Sequence, residues 1–169
     1  MTTRVAAFVG VAGLALLCGA VVEASSRRED GTWLDAASRE AAARSAALFA
    51  SLSGHLRASG GDRRFAERLP ADDGVVSEVL ADIAFVQHQG REERPQLVQF
   101  EVREVKPVAP GLAEVRAREF WVTRSTRDGA SSRSDVVPVR YAVRRDGRGW
   151  RVADWDIDVE DGSASRARR

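Results

Sequence analysis

The stretch Tyr141-Ala142-Val143-Arg144-Arg145-Asp146-Gly147-Arg148-Gly149-Trp150-Arg151-Val152-Ala153-Asp154-Trp155 reads as two β-strands joined by a tight turn. Val137, Val139, Tyr141 and Val143 alternate with polar or small residues, the pattern of a half-buried strand. Pro138 falls on the opposite phase and moves that end toward a sheet edge, because proline cannot donate to a ladder. Residues 145–149 carry Asp146-Gly147 and Gly149, a hairpin loop with glycine where the backbone must turn sharply. Trp150 and Val152 open the return strand, and Trp155 and Ile157 continue it after a one-residue slip of phase.

Upstream, Val98, Phe100 and Val102 alternate with Gln99, Glu101 and Arg103 and predict a strand over residues 97–105. A charged loop at 91–95 precedes it, and Pro107 and Pro110-Gly111 close it. A further strand over 112–124 starts on the phase of Ala113, Val115 and Ala117, then shifts to Phe120 and Val122. That shift predicts a bulge or strong bend near Arg118. Residues 125–134 read as a polar loop.

Before the strands the period changes from two to 3.6. Thr32, with Asp35 three residues on, predicts a helix start. Leu34, Ala37, Ala41, Ser45, Leu48, Leu52 and Leu56 lie at helical steps, with Phe49 beside them. Glu40 and Arg44 form an i,i+4 pair on the other side, and Gly60-Gly61 stops the helix. Asp62 caps a short second helix that ends at Pro70. Val76, Val79, Leu80 and Ile83 mark a third, and residues 84–89 either extend it or begin a strand. Helices first and an antiparallel meander of at least three strands after them make the fold class α+β, with helices packed on one face of a curved antiparallel sheet.

The chain begins differently. Met1 to Arg4 are followed by an uncharged apolar run at residues 5–22, then a polar exit. A positive start and an apolar run place the protein at or across a membrane. Residues 1–24 read as a signal anchor or a signal peptide, the latter cut before Ser25. A lipoprotein reading through Cys18 is disfavoured by Leu17, where a small residue is required. Residues 25–31 are a linker, 32–160 the α+β domain and 161–169 a disordered tail. Arg4 favours a domain outside the cytoplasm, membrane-anchored or, after cleavage, secreted.

Composition excludes several classes. The formal charge is +1, with no field for nucleic acid. Cys18 is the only cysteine, so thiol catalysis, disulfides and cysteine-ligated zinc are excluded from the domain. His55 and His88 are the only histidines and have no metal-ligand spacing. There is no phosphate loop and no nucleophile–histidine–acid motif. No cofactor is expected.

The long amphipathic helix, the strands at 97–105 and 112–124, and the closing hairpin from Tyr141 to Trp155 resemble the NTF2-like (SnoaL-like, cystatin-like) superfamily. Together with the N-terminal anchor, the layout looks like actinobacterial Mce-associated membrane proteins. The resemblance implies a cone between helix and bent sheet. Asp82, His88, Trp121 and Tyr141 are the candidates to line it. Ketosteroid-isomerase-like relatives use a buried aspartate base with a tyrosine donor, and related cyclases use aspartate or histidine, so in that reading Asp82 or His88 is the base and Tyr141 the donor. The expected function is a membrane-tethered, non-catalytic domain that binds other cell-envelope proteins, its cone filled by side chains such as Phe49, Phe100 and Trp150. The sheet also permits a homo-oligomer. The alternatives are a small-molecule isomerase or cyclase and a lipid-like ligand binder.

Overall fold

The computed structural model describes residues 34–90, 93–125 and 132–158. The anchor or signal segment 1–24, the linker 25–31, Trp33 and the tail 161–169 lie outside the described residues. Among the described residues, no helix is long and apolar enough to cross a membrane.

Helix α1 spans Ala36–Ala58. Its start differs from the expected Thr32: Asp35 is the N-cap, and its side chain accepts from the Ser38 amide at 2.6 Å. An aspartate there satisfies an amide that the first helical turn leaves free. The buried stripe runs through Ala42, Ser45, Ala46, Phe49, Ser53 and Leu56. Leu34, Leu52 and Leu56 are buried as expected, whereas Ala37 and Leu48 face outward. The stripe is rotated because Phe49 has the larger surface to bury and the alanines let the helix axis approach the sheet. Gly60 and Gly61, at φ 71° and 90°, end the helix, and the Gly61 amide donates to the Leu56 carbonyl at 2.9 Å.

Helix α2 spans Arg63–Ala66, capped by Asp62, and α3 spans Asp73–His88. Val75, Val79 and Ile83 are the buried side of α3. Residues 84–88 therefore continue the helix rather than begin a strand, and Gly90 at φ 65° follows its end.

Among the described residues, four strands form one antiparallel sheet in the order β1-β2-β3-β4: Glu93–Ala109, Leu112–Ser125, Ser132–Asp146 and Gly149–Ile157. Helix α1 packs across all four. The core joins Phe49 and Leu56 of α1 to Val79 of α3 and to Ala113, Val115, Val139, Tyr141, Val143 and Val152 of the sheet. The outer edge of β4 is met by Ala71 in a parallel bridge with Val152.

The irregularities of the sheet are not all where the sequence put them. The slip in β4 is real: Ala142 pairs Asp154 and Val143 pairs Val152, leaving Ala153 as the extra residue. In β2 there is no bulge near Arg118, since the β2–β3 register is unbroken from Leu112↔Arg144 to Arg124↔Ser132. The shifts lie in β1, between Leu97 and Gln99, between Val102 and Glu104, and between Pro107 and Ala109. Val98 is thus extruded at a bulge and 63% exposed, so the inward set is Phe100 and Val102 without it.

Candidate functional site

The unbroken register of β2 puts Ala113, Val115, Ala117 and Glu119 on one face at period two, and all four are buried. The apparent loss of apolar phase after Ala117 is a carboxylate standing in a core position. Glu119 is 6% exposed. Its Oε1 accepts the hydroxyl of Tyr141 on β3, and its Oε2 accepts Trp121 Nε1 at 2.8 Å. Trp121 lies two residues along the same strand, hence on the same face.

Burial pushes the Glu119 carboxyl above its usual value, opposed by the two hydrogen bonds and by the Arg57 guanidinium. Burial also pushes the Tyr141 phenol well up, reinforced by the Glu119 charge and the hydrogen bond. Both groups therefore hold their protons more firmly than they would in water.

Aromatic rings close the space around this pair. Phe49 of α1 meets Tyr141 edge-on at 6.0 Å, and Phe100 of β1 lies 6.1 Å from it. Tyr141 is 1% exposed and Phe49 2%. Trp155 sits 6.5 Å from Phe49 and carries Arg57 over its ring at 5.9 Å. Trp121 lies so close under α1 that a Cβ on Gly54 would stand 2.7 Å from its ring. Trp150 is half-buried at the rim, its carbonyl bonded by Ser45 Oγ at 2.7 Å.

Of the four residues expected to line a cone, the structure brings Tyr141 and Trp121 together through Glu119. Asp82 is exposed on α3 and ion-paired with Arg57 at 3.6 Å. His88 is the exposed last residue of α3, not on a strand. His55 is exposed and stacks on Phe65. Glu119 is the member that sequence reasoning missed. Its signal was present: a glutamate on the inward phase of an otherwise apolar strand.

A cleft of about 540 Å³ opens elsewhere, between α2, the start of α3 and the β3–β4 hairpin, with Leu69, Val76 and Leu80 in its wall and Arg63, Arg148 and Arg151 around it. None of Asp82, His88, Trp121 and Tyr141 lines it. The hairpin arginines are partly neutralised, mainly from outside the hairpin: Arg144 pairs Asp72 at 2.7 Å, and Arg151 lies 3.8 Å from both Asp72 and Asp146. Among the described residues, no group of three or more histidine, cysteine or acidic side chains could hold a metal ion.

Neither the sequence profiles of known families nor the curated proteins give a match to this chain. Among solved structures, the chain is similar to the intermembrane space region of chloroplast protein ARC6, at 17% identity and a TM-score of 0.58, over 74% of this chain and 97% of that one. At that identity the likeness is one of fold: α+β, with helices against an open four-stranded antiparallel sheet.

Proposed function

We propose that this chain is a membrane-tethered, non-catalytic domain of the cell envelope, built on an NTF2-like scaffold, that works by binding other envelope proteins. The observation that carries the reading is the contact of Phe49 with Tyr141, which fills the space between α1 and the sheet where a relative with a cone would hold substrate. With that space occupied, the surfaces left for function are outward ones. The apolar run at 5–22 supplies the tether. A domain outside the cytoplasm agrees with that run, and with the similar region of ARC6, which lies in the chloroplast intermembrane space.

A specific observation favours a second reading. A buried carboxylate with a raised pKa beside a phenol is the chemistry of proton abstraction next to a carbonyl. In that reading Glu119 takes the place of Asp82 or His88 as base, and Tyr141 donates. Both oxygens of Glu119 already accept hydrogen bonds, however, and Phe49 closes the approach to Tyr141, so the binding reading is preferred.

The test is photo-crosslinking in intact cells from the exposed positions Val98 and Phe85 of the full-length chain. The binding reading expects a discrete adduct with an envelope protein, unchanged by Tyr141→Phe. No adduct from either position, or adducts with cytosolic proteins alone, would overturn it.

A further inference from the structure

Three strand edges of the sheet face outward, and two are defended. The outer edge of β1 is broken by three register shifts and carries Pro95 and Pro107, with α1 packed against the strand. The outer edge of β4 is met by Ala71, with the Asp72 amide donating to the Val152 carbonyl at 2.9 Å and the Val152 amide to the Pro70 carbonyl at 2.8 Å. The third edge belongs to β3. Its last rung toward β4 is the Asp158 amide donating to the Pro138 carbonyl at 2.9 Å. Toward its start, Ser132-Arg133-Ser134-Asp135-Val136 pairs with β2 on one side and has no backbone partner on the other among the described residues.

The parity of that edge is fixed. The carbonyl of Pro138 faces β4, so residues at even steps from it, Val136, Ser134 and Ser132, turn their N–H and C=O groups to the same side, where no described residue pairs with them. This stretch carries no bulge and no proline. An unpaired, regular edge is a template for another strand.

The sequence of the edge says which strand. In antiparallel self-pairing centred on Ser134, Ser134 meets Ser134 of the second copy in a hydrogen-bonded pair. Arg133 then stands opposite Asp135, Asp135 opposite Arg133, and Ser132 opposite Val136. Every charge meets its opposite, at the 4.5–5.5 Å Cβ spacing of directly facing residues. Arg133 and Asp135 are already on one face, with Nε and Oδ2 2.6 Å apart, and the Arg133 side chain is 74% exposed. Pairing would place each guanidinium between its own carboxylate and the partner's. It would also cover Val136, which is 56% exposed. Beyond Val136 the pairing ends, because Asp158 occupies the place opposite Pro138.

We propose that two copies of this chain associate edge to edge through Ser132-Arg133-Ser134-Asp135-Val136 of β3, forming one continuous antiparallel sheet about a two-fold axis at Ser134. The occupant is a second copy, since the stretch is complementary in charge to itself. The interface stands independently of whether the domain binds other proteins.

The experiment is the oligomeric state of the full-length chain, by sedimentation velocity from about 1 to about 200 µM, since so short a ladder gives weak association. The expected result is a concentration-dependent dimer. Arg133→Asp, which sets like charges opposite each other, abolishes it. The double charge exchange Arg133→Asp with Asp135→Arg restores it. Ser134→Pro also gives a monomer, and it leaves the β2–β3 ladder intact because the Ser134 amide points outward; unchanged circular dichroism verifies folding. A wild-type monomer at the highest concentration overturns the proposal, including the case in which slow amide exchange at Ser134 shows the edge covered by the chain's own continuation past Asp158. A dimer untouched by Arg133→Asp and Ser134→Pro overturns it equally, by placing the interface elsewhere.

Discussion

The Tyr141 hydroxyl donates to Glu119 Oε1 between two neighbouring strands, in a core where both side chains are almost fully enclosed. A carboxylate in that position is stable only because two donors reach it, and each of those donors is stable only because it is there.

Removing the carboxylate should therefore cost more than neutralising it. Glu119→Ala leaves the Tyr141 hydroxyl and Trp121 Nε1 without their acceptor and opens a void, a loss of about 2–4 kcal/mol. Glu119→Gln can still accept from Trp121 and donate to the phenol oxygen, so its loss should stay within about 1 kcal/mol. Urea denaturation of the two variants checks the order. Equal losses would mean that the volume and hydrogen bonds kept by the amide contribute nothing, which contradicts this account.

The raised pKa of Glu119 gives this group a definite pH dependence. As pH rises above the ordinary value of 4.5, the unfolded chain releases its proton first while the folded chain keeps it. The unfolded state then binds fewer protons, so the stabilising contribution is full below 4.5 and is lost as pH rises through the folded value. The stability of the wild type relative to Glu119→Gln should fall over that window and then level off. A difference that is flat, or that rises with pH, contradicts a buried, proton-retaining Glu119. Tyr141 acts with the same sign at the alkaline end: above the ordinary value of 10.0 the unfolded phenol ionises first, and wild-type stability should fall faster with pH than that of Tyr141→Phe.

Gly54 is the point at which α1 comes down on Trp121. Gly54→Ala places a methyl group 2.7 Å from the ring and should cost about 1–3 kcal/mol by overpacking, although alanine is the better helix former. Trp121→Leu in the same chain should relieve part of that loss. A double mutant whose loss equals or exceeds the sum of the singles contradicts the contact, and denaturation midpoints decide it.

Asp82 and His88 should be nearly silent. Asp82 is exposed and holds Arg57 only at 3.6 Å, and His88 is solvated at the end of α3. Asp82→Asn and His88→Ala should each shift stability by less than about 0.5 kcal/mol. A loss above 2 kcal/mol from either would show a tertiary role that the structure does not place there.

These residues also mark what the sequence could reveal. The hairpin at Asp146 to Gly149 was legible because strand alternation and turn glycines are local signals. The slip in β4 was legible for the same reason. Val98 misled, because a bulge is decided by the pairing of two strands and leaves no trace in the alternation of one. Leu48 misled because Phe49 beside it had the stronger claim on the core. Glu119 was hidden by the rule that inward positions are apolar. That rule turned a buried carboxylate into an apparent change of register, and only the position of Tyr141 on the next strand shows why a glutamate is tolerated there.

The most direct test of a filled space between α1 and the sheet is the native mass of the full-length protein, purified without denaturant. A closed face predicts no stoichiometric small-molecule increment on the chain, either in the wild type or in Tyr141→Phe. A stoichiometric small-molecule increment on the wild type that disappears in Tyr141→Phe would show a ligand held against Glu119 and Tyr141. That result would contradict the binding-scaffold reading in favour of a pocket with chemistry of its own.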